Sequence, residues 1–450
     1  MDARQKTKKT KAPRHSLKEA LQQFLTPAMW KQAQRSVRQC GKKAVRWTTQ
    51  PLILTLLFMT WTCGDSQAER FETAGAFCQV CLPKRRRPGK TVQGFQKALA
   101  RLPLNALRTL AAGVRRRLPT LSNWIVEGFV PIGCDGSRVE CPRSQVLEQC
   151  LGKAGKEGSA PTIWVTALVH LRLGVPLAWR FGKGTASERD HLKFLVRFLP
   201  AAALLVADAG YFGHGLTQFL MSRRVEFLLR MSSNVTLYRE DNTPLAKYRE
   251  GLVYYWPSKK DEKKGGRPLR LRLIRLRGRR RKNDVWLLTN VMDSARLSRK
   301  LAGQMYRWRW ENEGCFRTYK HTLKKIKLVS RTVRLVHREA EGSWLALQLL
   351  LAQGAAAQSV AAPTTAGPAC SARQLLLVVR QEILGLVKRG SPPYVERLRR
   401  AKREQRRRTT AKDCRTWVRR KPHESPKPPR LLKLTAQQKQ QITRDKCAAA

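Results

Sequence analysis

The residues of this sequence that could do chemistry begin with two aspartates. Asp208 closes the continuous apolar run 202–207 (AALLVA) and is followed by Ala209 and Gly210, small residues that open a turn, and then Tyr211. Asp135 falls within or at the end of a second strand-like stretch, 126–139 (VEGFVPIGCDGSRV), and is followed by Gly136. Catalytic groups of open α/β sheets gather at the carboxyl ends of strands. A carboxylate placed there without a cation partner is costly, and metal binding is the usual remedy. Taken alone, either aspartate could equally cap the turn that follows it.

A third carboxylate comes with neighbours. Tyr306, Arg309, Glu313 and Lys320 are spaced 3, 4 and 7 residues apart. At about 100° per residue, an ideal helix holds all four within one arc of roughly 60°. An i,i+4 ion pair accounts for Arg309 and Glu313 and leaves Tyr306 and Lys320 unexplained. Glu311 falls roughly 200° from Glu313 and points away. Trp308 is opposite Glu313 and is expected in the core.

The pattern Tyr-x2-Arg-x3-Glu-x6-Lys resembles the signature of a large group of bacterial insertion-sequence transposases, DDE enzymes with an RNase H-like catalytic domain. The resemblance covers roughly residues 120–355. It puts Asp135 (in CDGSR) first, Asp208 (in VADAGYFG) second and Glu313 (in YRWRWENEGCFRTYK) third. The order aspartate, aspartate, β-rich insertion, glutamate helix is similar to that group too. What the resemblance implies is phosphoryl transfer with two Mg²⁺ ions, roughly 3.5–4 Å apart, with Mn²⁺ able to substitute. Asp135 would bridge the ions, and Asp208 and Glu313 would each complete one. Arg309 and Lys320 would hold DNA phosphates, and Tyr306 would hydrogen-bond a phosphate near the strand end. Trp256, in VYYWP, is the candidate for stacking on a flipped base; packing within the insertion is the other reading. Glu188 and Asp190 are further carboxylates, but no apolar strand precedes them.

Cys78 and Cys81 make a C-x-x-C, half of a zinc site. No second pair or histidine cluster follows, and two partly buried thiols near a loop are the simpler expectation.

These residues need elements to hold them. Helical spacing runs from about Leu17 to Leu121, so residues 1–120 are expected to be a helical DNA-binding domain. The period then changes. Strand patterns alternate with short helices through residue 231, the mark of an α/β sheet. Within a catalytic domain spanning 121–389, residues 235–284 form a β-rich insertion. It includes 269–277 (LRLRLIRLR), which reads as a strand with one buried and one basic face. A long helical stretch is expected over 294–328, with further helices near 342–358 and 372–388. Residues 390–450 read as a disordered basic tail, with 19 basic and 5 acidic residues from 391 on.

Composition bounds the partners. The 450 residues carry 90 Lys and Arg against 31 Asp and Glu, a net charge of +59. So basic a chain repels itself and seeks dense negative charge, and nucleic acid fits best. Collagen, coiled-coil rods and disulfide-rich secreted scaffolds are excluded. Eleven cysteines in a large chain suit a reducing cytoplasm; the resemblance implies a bacterial one, with the protein nucleoid-associated. The apolar run 51–63 is 13 residues long, short of the roughly 20 that cross a bilayer. Together with these bounds, the resemblance implies a DNA transposase, dimeric on DNA, that cuts element terminal inverted repeats and joins the 3′-OH ends to target DNA. The alternatives are a catalytically inactive transposase-derived DNA-binding protein and a nuclease with no joining step.

Overall fold

The computed structural model describes residues 16–37, 46–82, 88–152, 158–231, 233–241, 243–245, 247–278, 284–359, 370–402 and 428–447. They form two compact units. One holds the described residues up to Leu118 with those of 337–359 and 370–402; the other holds 119–336 and 428–447.

The first unit is helical. Its early helices are Leu17–Phe24, Pro27–Arg35, Thr49–Trp61, Gln67–Cys81, Val92–Arg101 and Leu104–Arg117. Ser16 and Glu19 cap the first reciprocally, satisfying two otherwise orphaned N–H groups. The Thr49–Trp61 helix is apolar on all sides and buried along nearly its whole length, as such a helix must be in water. Among the described residues no helix is long and apolar enough to cross a membrane. Most of the helix Val333–Ser359 also belongs here. Trp61 donates from Nε1 to the Ala346 carbonyl at 3.2 Å, and buried Glu341 pairs with Arg108 at 2.7 Å. The sequence pattern places residues up to 389 in the catalytic stretch; the helical residues 337–359 and 370–402 cluster instead with the N-terminal helices.

The second unit is built on one ten-stranded sheet. Its strands are β1 (Val130–Glu140), β2 (Thr162–His170), β3 (Val175–Lys183), β4 (Ala203–Ala207), β5 (Glu226–Arg230), β6 (Thr236–Arg239), β7 (Glu250–Tyr255), β8 (Leu269–Leu276), β9 (Val285–Thr289) and β10 (Arg430–Lys433). Their order across the sheet is β10-β6-β7-β8-β9-β5-β4-β1-β2-β3. β1, β2 and β3 form an antiparallel meander, whereas β1, β4 and β5 run parallel. β4 is buried along its entire length, as expected of a strand covered on both faces.

Four expectations change. The stretch 126–139 reads in sequence as a strand interrupted at Asp135-Gly136, but β1 is a single strand that passes through both. The insertion is not a module apart: β6, β7 and β8 extend the same sheet through β9. β8 has no basic face. Arg270 is exposed, but Arg272 and Arg275 are buried. Arg275 pairs with buried Asp284 at 2.6 Å. Arg272 donates to the carbonyls of Val291, Asp293 and Leu297, tying down the loop that precedes the Tyr306 helix. A buried guanidinium must find such acceptors, because an unpaired one would cost several kcal/mol. Finally, the stretch expected to be a disordered tail contains a helix at Tyr394–Arg400, strand β10 paired in parallel with β6, and a helix at Ala436–Cys447. Residues 403–427 of that stretch lie outside the described residues.

Candidate active site

The parallel pairing of β1 with β4 sets the first two carboxylates side by side. The register aligns Cys134 with Ala207, so Asp135 and Asp208 follow at the next position of each chain. Asp208 also caps the short turn Ala209–Tyr211, accepting from the Ala209 N–H at 2.8 Å. Asp135 accepts from the Gly136 N–H at 2.8 Å. Each of these bonds uses Oδ1. Among the described residues, the Oδ2 of each aspartate accepts no hydrogen bond from the protein. The capping role is therefore real for Asp208 and occupies one oxygen of two, whereas Asp135, inside β1, has no turn to cap.

The third carboxylate is held by a broken helix. Ser298 caps the helix Arg299–Trp308, whose Leu301, Ala302, Met305 and Tyr306 are buried against Leu204, Val206 and Ile274 of the sheet core. A break at Arg309 follows, then the helix Trp310–Arg317 and a π-turn over Thr318–Thr322. The continuous helix expected over 294–328 is thus three pieces. Glu313 lies on the second, which packs against β1. That approach depends on Gly133: a Cβ there would sit 2.5 Å from both polar atoms of the Asn312 side chain and from Leu171. Asn312 is wholly buried.

Of the four helix-signature residues, Tyr306 contacts Asp208, and Arg309 and Glu313 act on Asp135 through their charge. Tyr306 Oη donates to Asp208 Oδ1 over 3.5 Å. Burial, then the charge of Asp208, pushes the Tyr306 phenol above its ordinary range, so it stays protonated and able to donate. Arg309 is nearly buried and pairs with Glu313 at 3.7 Å. Its guanidinium lies 5.5 Å from the Tyr306 ring and 5.3 Å from the Trp310 ring. Its Nε has no hydrogen-bond partner among the described residues. Lys320 departs from the ideal arc. The π-turn adds extra backbone between it and Glu313, and its electrostatic partner is Glu140 at the far end of β1. Burial lowers the Lys320 pKa and Glu140 offsets this in part.

Burial sets the behaviour of Asp135. Its pKa is raised from 3.8 to about 6, mainly by burial. The Gly136 N–H and Arg309 oppose that rise, and the charges of Glu188 and Glu313 add to it. Perturbed carboxylates in such clusters are a frequent mark of function. Glu188 opens the helix Glu188–Leu195 behind the Ser187 cap, and burial raises its own pKa. The sequence argues against Glu188 because no apolar strand precedes it; its nearness to Asp135 comes from how that helix packs near β1. Arg230 is a residue that sequence reasoning misses altogether. It ends β5, beside β4, and its Nη1 is 3.5 Å from Asp208 Oδ1. The only available signal is a cation closing the apolar strand next to the one that Asp208 closes.

Two candidates are placed elsewhere. Trp256 packs edge-on to Tyr238, ring centroids 6.0 Å apart, and against the cluster of Tyr254, Leu434 and Ile442. Cys78 and Cys81 lie on the Gln67–Cys81 helix. Burial raises their thiols to about 11 and about 12, so neither is a ready thiolate ligand. Trp308 is partly buried against the sheet core, and Arg172 lies over its ring at 5.4 Å.

The donors suit a hard divalent cation: carboxylate oxygens, two of them uncommitted, in a site where Asp135 is poorly neutralised. Asp135, Asp208 and Glu313 are the residues that would hold it. As they stand, no three His, Cys, Asp or Glu side chains among the described residues are close enough to form a metal cluster.

Comparison with known proteins gives three findings. No curated protein matches the chain. Among solved structures, the piggyBac transposase synaptic complex with hairpin DNA, determined by cryo-EM, is similar at a TM-score of 0.39. The sequences are 12% identical, over 85% of this chain and 84% of that one. Asp135, Asp208 and Glu313 all fall within the stretch that a family model matches: residues 134–349, just under half of the chain, are similar to the transposase DDE domain family.

Proposed function

We propose that this chain is a DNA transposase with an RNase H-like catalytic domain. It would bind element ends, cut the DNA and join the freed 3′-OH to a target. One observation supports this above all: Asp208, at the end of β4, lies beside Asp135 within parallel β1 while the Glu313 helix packs on β1, all inside the matched stretch.

Mg²⁺ bound by Asp135, Asp208 and Glu313, two ions in the full complement with Mn²⁺ able to replace them, would activate the attacking oxygen and stabilise the leaving one. The protein's own part is positioning. Arg309, clamped between two rings, offers a phosphate its planar fork. Tyr306 keeps its proton and orients Asp208 while facing the strand end. Arg230 holds Asp208 from the other side. Lys320, near Glu140, would meet the backbone at a greater distance along the duplex. The helices before residue 120 are the candidates for reading the terminal inverted repeats. Two protomers would hold the two ends, in a bacterial cytoplasm on the nucleoid. Trp256 is better read as a packing residue of the insertion than as a base-stacking one.

The test is direct. Short inverted repeats flanking the gene define a labelled duplex. Purified protein with Mg²⁺ or Mn²⁺ should nick it at the repeat boundary and join the 3′ end to a second duplex. Binding without any cleavage would instead favour the inactive DNA-binding alternative, and cleavage without joining would favour a nuclease.

A further inference from the structure

At the opposite end of β4 from Asp208 the sheet opens on a cleft of about 800 Å³. The turn before β4 and the turn before β5 form its floor, and Lys193, Arg197, Arg223, Arg224 and Arg296 line it. All five are exposed. Among the described residues the single acid lining it, Glu226, pairs with Arg296 through both carboxylate oxygens. Lys193 has only a 3.6 Å contact with exposed Asp190. Arg197, Arg223 and Arg224 have no carboxylate partner among the described residues.

The cations are built in rather than loosely displayed. The Arg197 guanidinium lies 4.1 Å from the Phe194 ring centre, and its Nε donates to the Phe194 carbonyl at 3.0 Å. Arg223 lies 5.5 Å from the Phe219 ring centre. Guanidinium groups resting on rings give up less freedom when they bind. Arg224 is held by its backbone, in the left-handed region at φ 54°.

We infer that this cleft is a second phosphodiester-binding surface, which grips nucleic-acid backbone remote from the phosphate being cut. Five β-strand steps separate Ala203 from Asp208, roughly 16 Å at about 3.3 Å per residue. A group engaged in the cleft therefore cannot touch the three acids. Several arginines spread around an open cleft match a chain of phosphates better than a single one. The inference rests on the DNA-transposase reading and adds to it a grip on the duplex that the acids and the helix signature do not supply.

The test combines Arg197→Gln, Arg223→Gln and Arg224→Asn in the full chain. Asparagine tolerates the left-handed backbone of Arg224, so the fold is spared. A control removes three charges elsewhere, with Lys259, Lys260 and Lys263 each changed to Gln. Binding of a random-sequence duplex and of inorganic tripolyphosphate is measured over a series of salt concentrations, with thermal melting as the check on folding. The cleft variant should flatten the salt slope for duplex by roughly 2–3, at about 0.9 for each phosphate that is no longer neutralised. It should melt like the parent and still cleave a short end duplex at saturating protein. The control should change the slope by less than half as much. Equal slopes in variant and parent, or equal flattening in the control, would overturn the inference. So would loss of tripolyphosphate binding with duplex binding intact, which would make the cleft a small-anion site. Failure of the parent itself to bind or cut DNA would strike the transposase reading instead.

Discussion

Asp135 and Glu313 make predictions of different kinds. Glu311 and Glu313 share one short helix, but Glu313 pairs with Arg309 whereas Glu311 runs along the helix past Gly314. Glu313→Gln should cost several kcal/mol of transition-state stabilisation, so at least about a hundredfold in cleavage, with DNA binding retained. Asp135→Asn and Asp208→Asn should do the same. Glu311→Gln should stay within about fivefold, a loss of roughly 1 kcal/mol. Cleavage rates and fluorescence anisotropy on one end duplex measure both effects, and the reverse ranking of the two glutamates would remove Glu313 from the site. Asp135 adds a pH dependence. An acid whose pKa is raised in the fold, here from 3.8 to about 6, is held there preferentially in its neutral form. Ionisation therefore costs stability as pH rises through that window, and a bound cation relieves the cost. Mg²⁺ should raise the melting temperature at pH 7.5 and hardly at all at pH 5, and Asp135→Asn should abolish the difference. Equal stabilisation by Mg²⁺ at both pH values would contradict this account.

Elements decide how much of this is legible in the sequence. Asp208 is legible because an apolar run ends on it, and Asp135 because it lies in a strand pattern. Which strands are neighbours is not legible, since pairing depends on contacts distant in sequence. Arg230 becomes visible only once β5 lies beside β4, and Glu188 once its helix packs near β1. The helix face at Tyr306, Arg309 and Glu313 follows from spacing. Lys320 does not, because ideal phase assumes uniform turns and a π-turn intervenes. The leucine-arginine alternation of β8 looks amphipathic, yet Arg272 and Arg275 find carbonyls and a carboxylate inside the fold. Gly133 is where element and site meet. Gly133→Ala forces a Cβ into Asn312 and Leu171, at an expected cost of about 1–3 kcal/mol, and should shift the Glu313 helix enough to depress cleavage. Gly210→Ala, next to the Asp208 turn, meets nothing within 4 Å and should stay within about 0.5 kcal/mol of the parent. Melting curves and cleavage rates compare the two. A silent Gly133→Ala would mean that the helix does not depend on close approach to β1.

At the scale of the whole molecule, the net charge of +59 makes electrostatics the first force that any nucleic acid meets, and binding should weaken steeply with salt. The C-terminal segment does not act through charge alone. β10 covers the edge of β6, and Leu434 and Ile442 bury themselves with Tyr254, Tyr238 and Trp256. An uncovered edge is a template for pairing with other chains. Removing residues 428–450 should therefore behave as a structural lesion. Losing two buried apolar side chains costs about 3–6 kcal/mol before relaxation. At roughly 2–4 °C per kcal/mol in a domain of this size, the second unit should melt about 6–24 °C lower. The truncated protein should also aggregate at concentrations where the parent is monodisperse. Its salt slope for random duplex should change little, because the segment has few of the chain's cations. Calorimetry, light scattering and salt-dependent anisotropy on both proteins test the three outcomes together. An unchanged melting profile with a markedly flatter salt slope would mean that the segment is a cationic arm and that its place on the sheet edge contributes little to the fold.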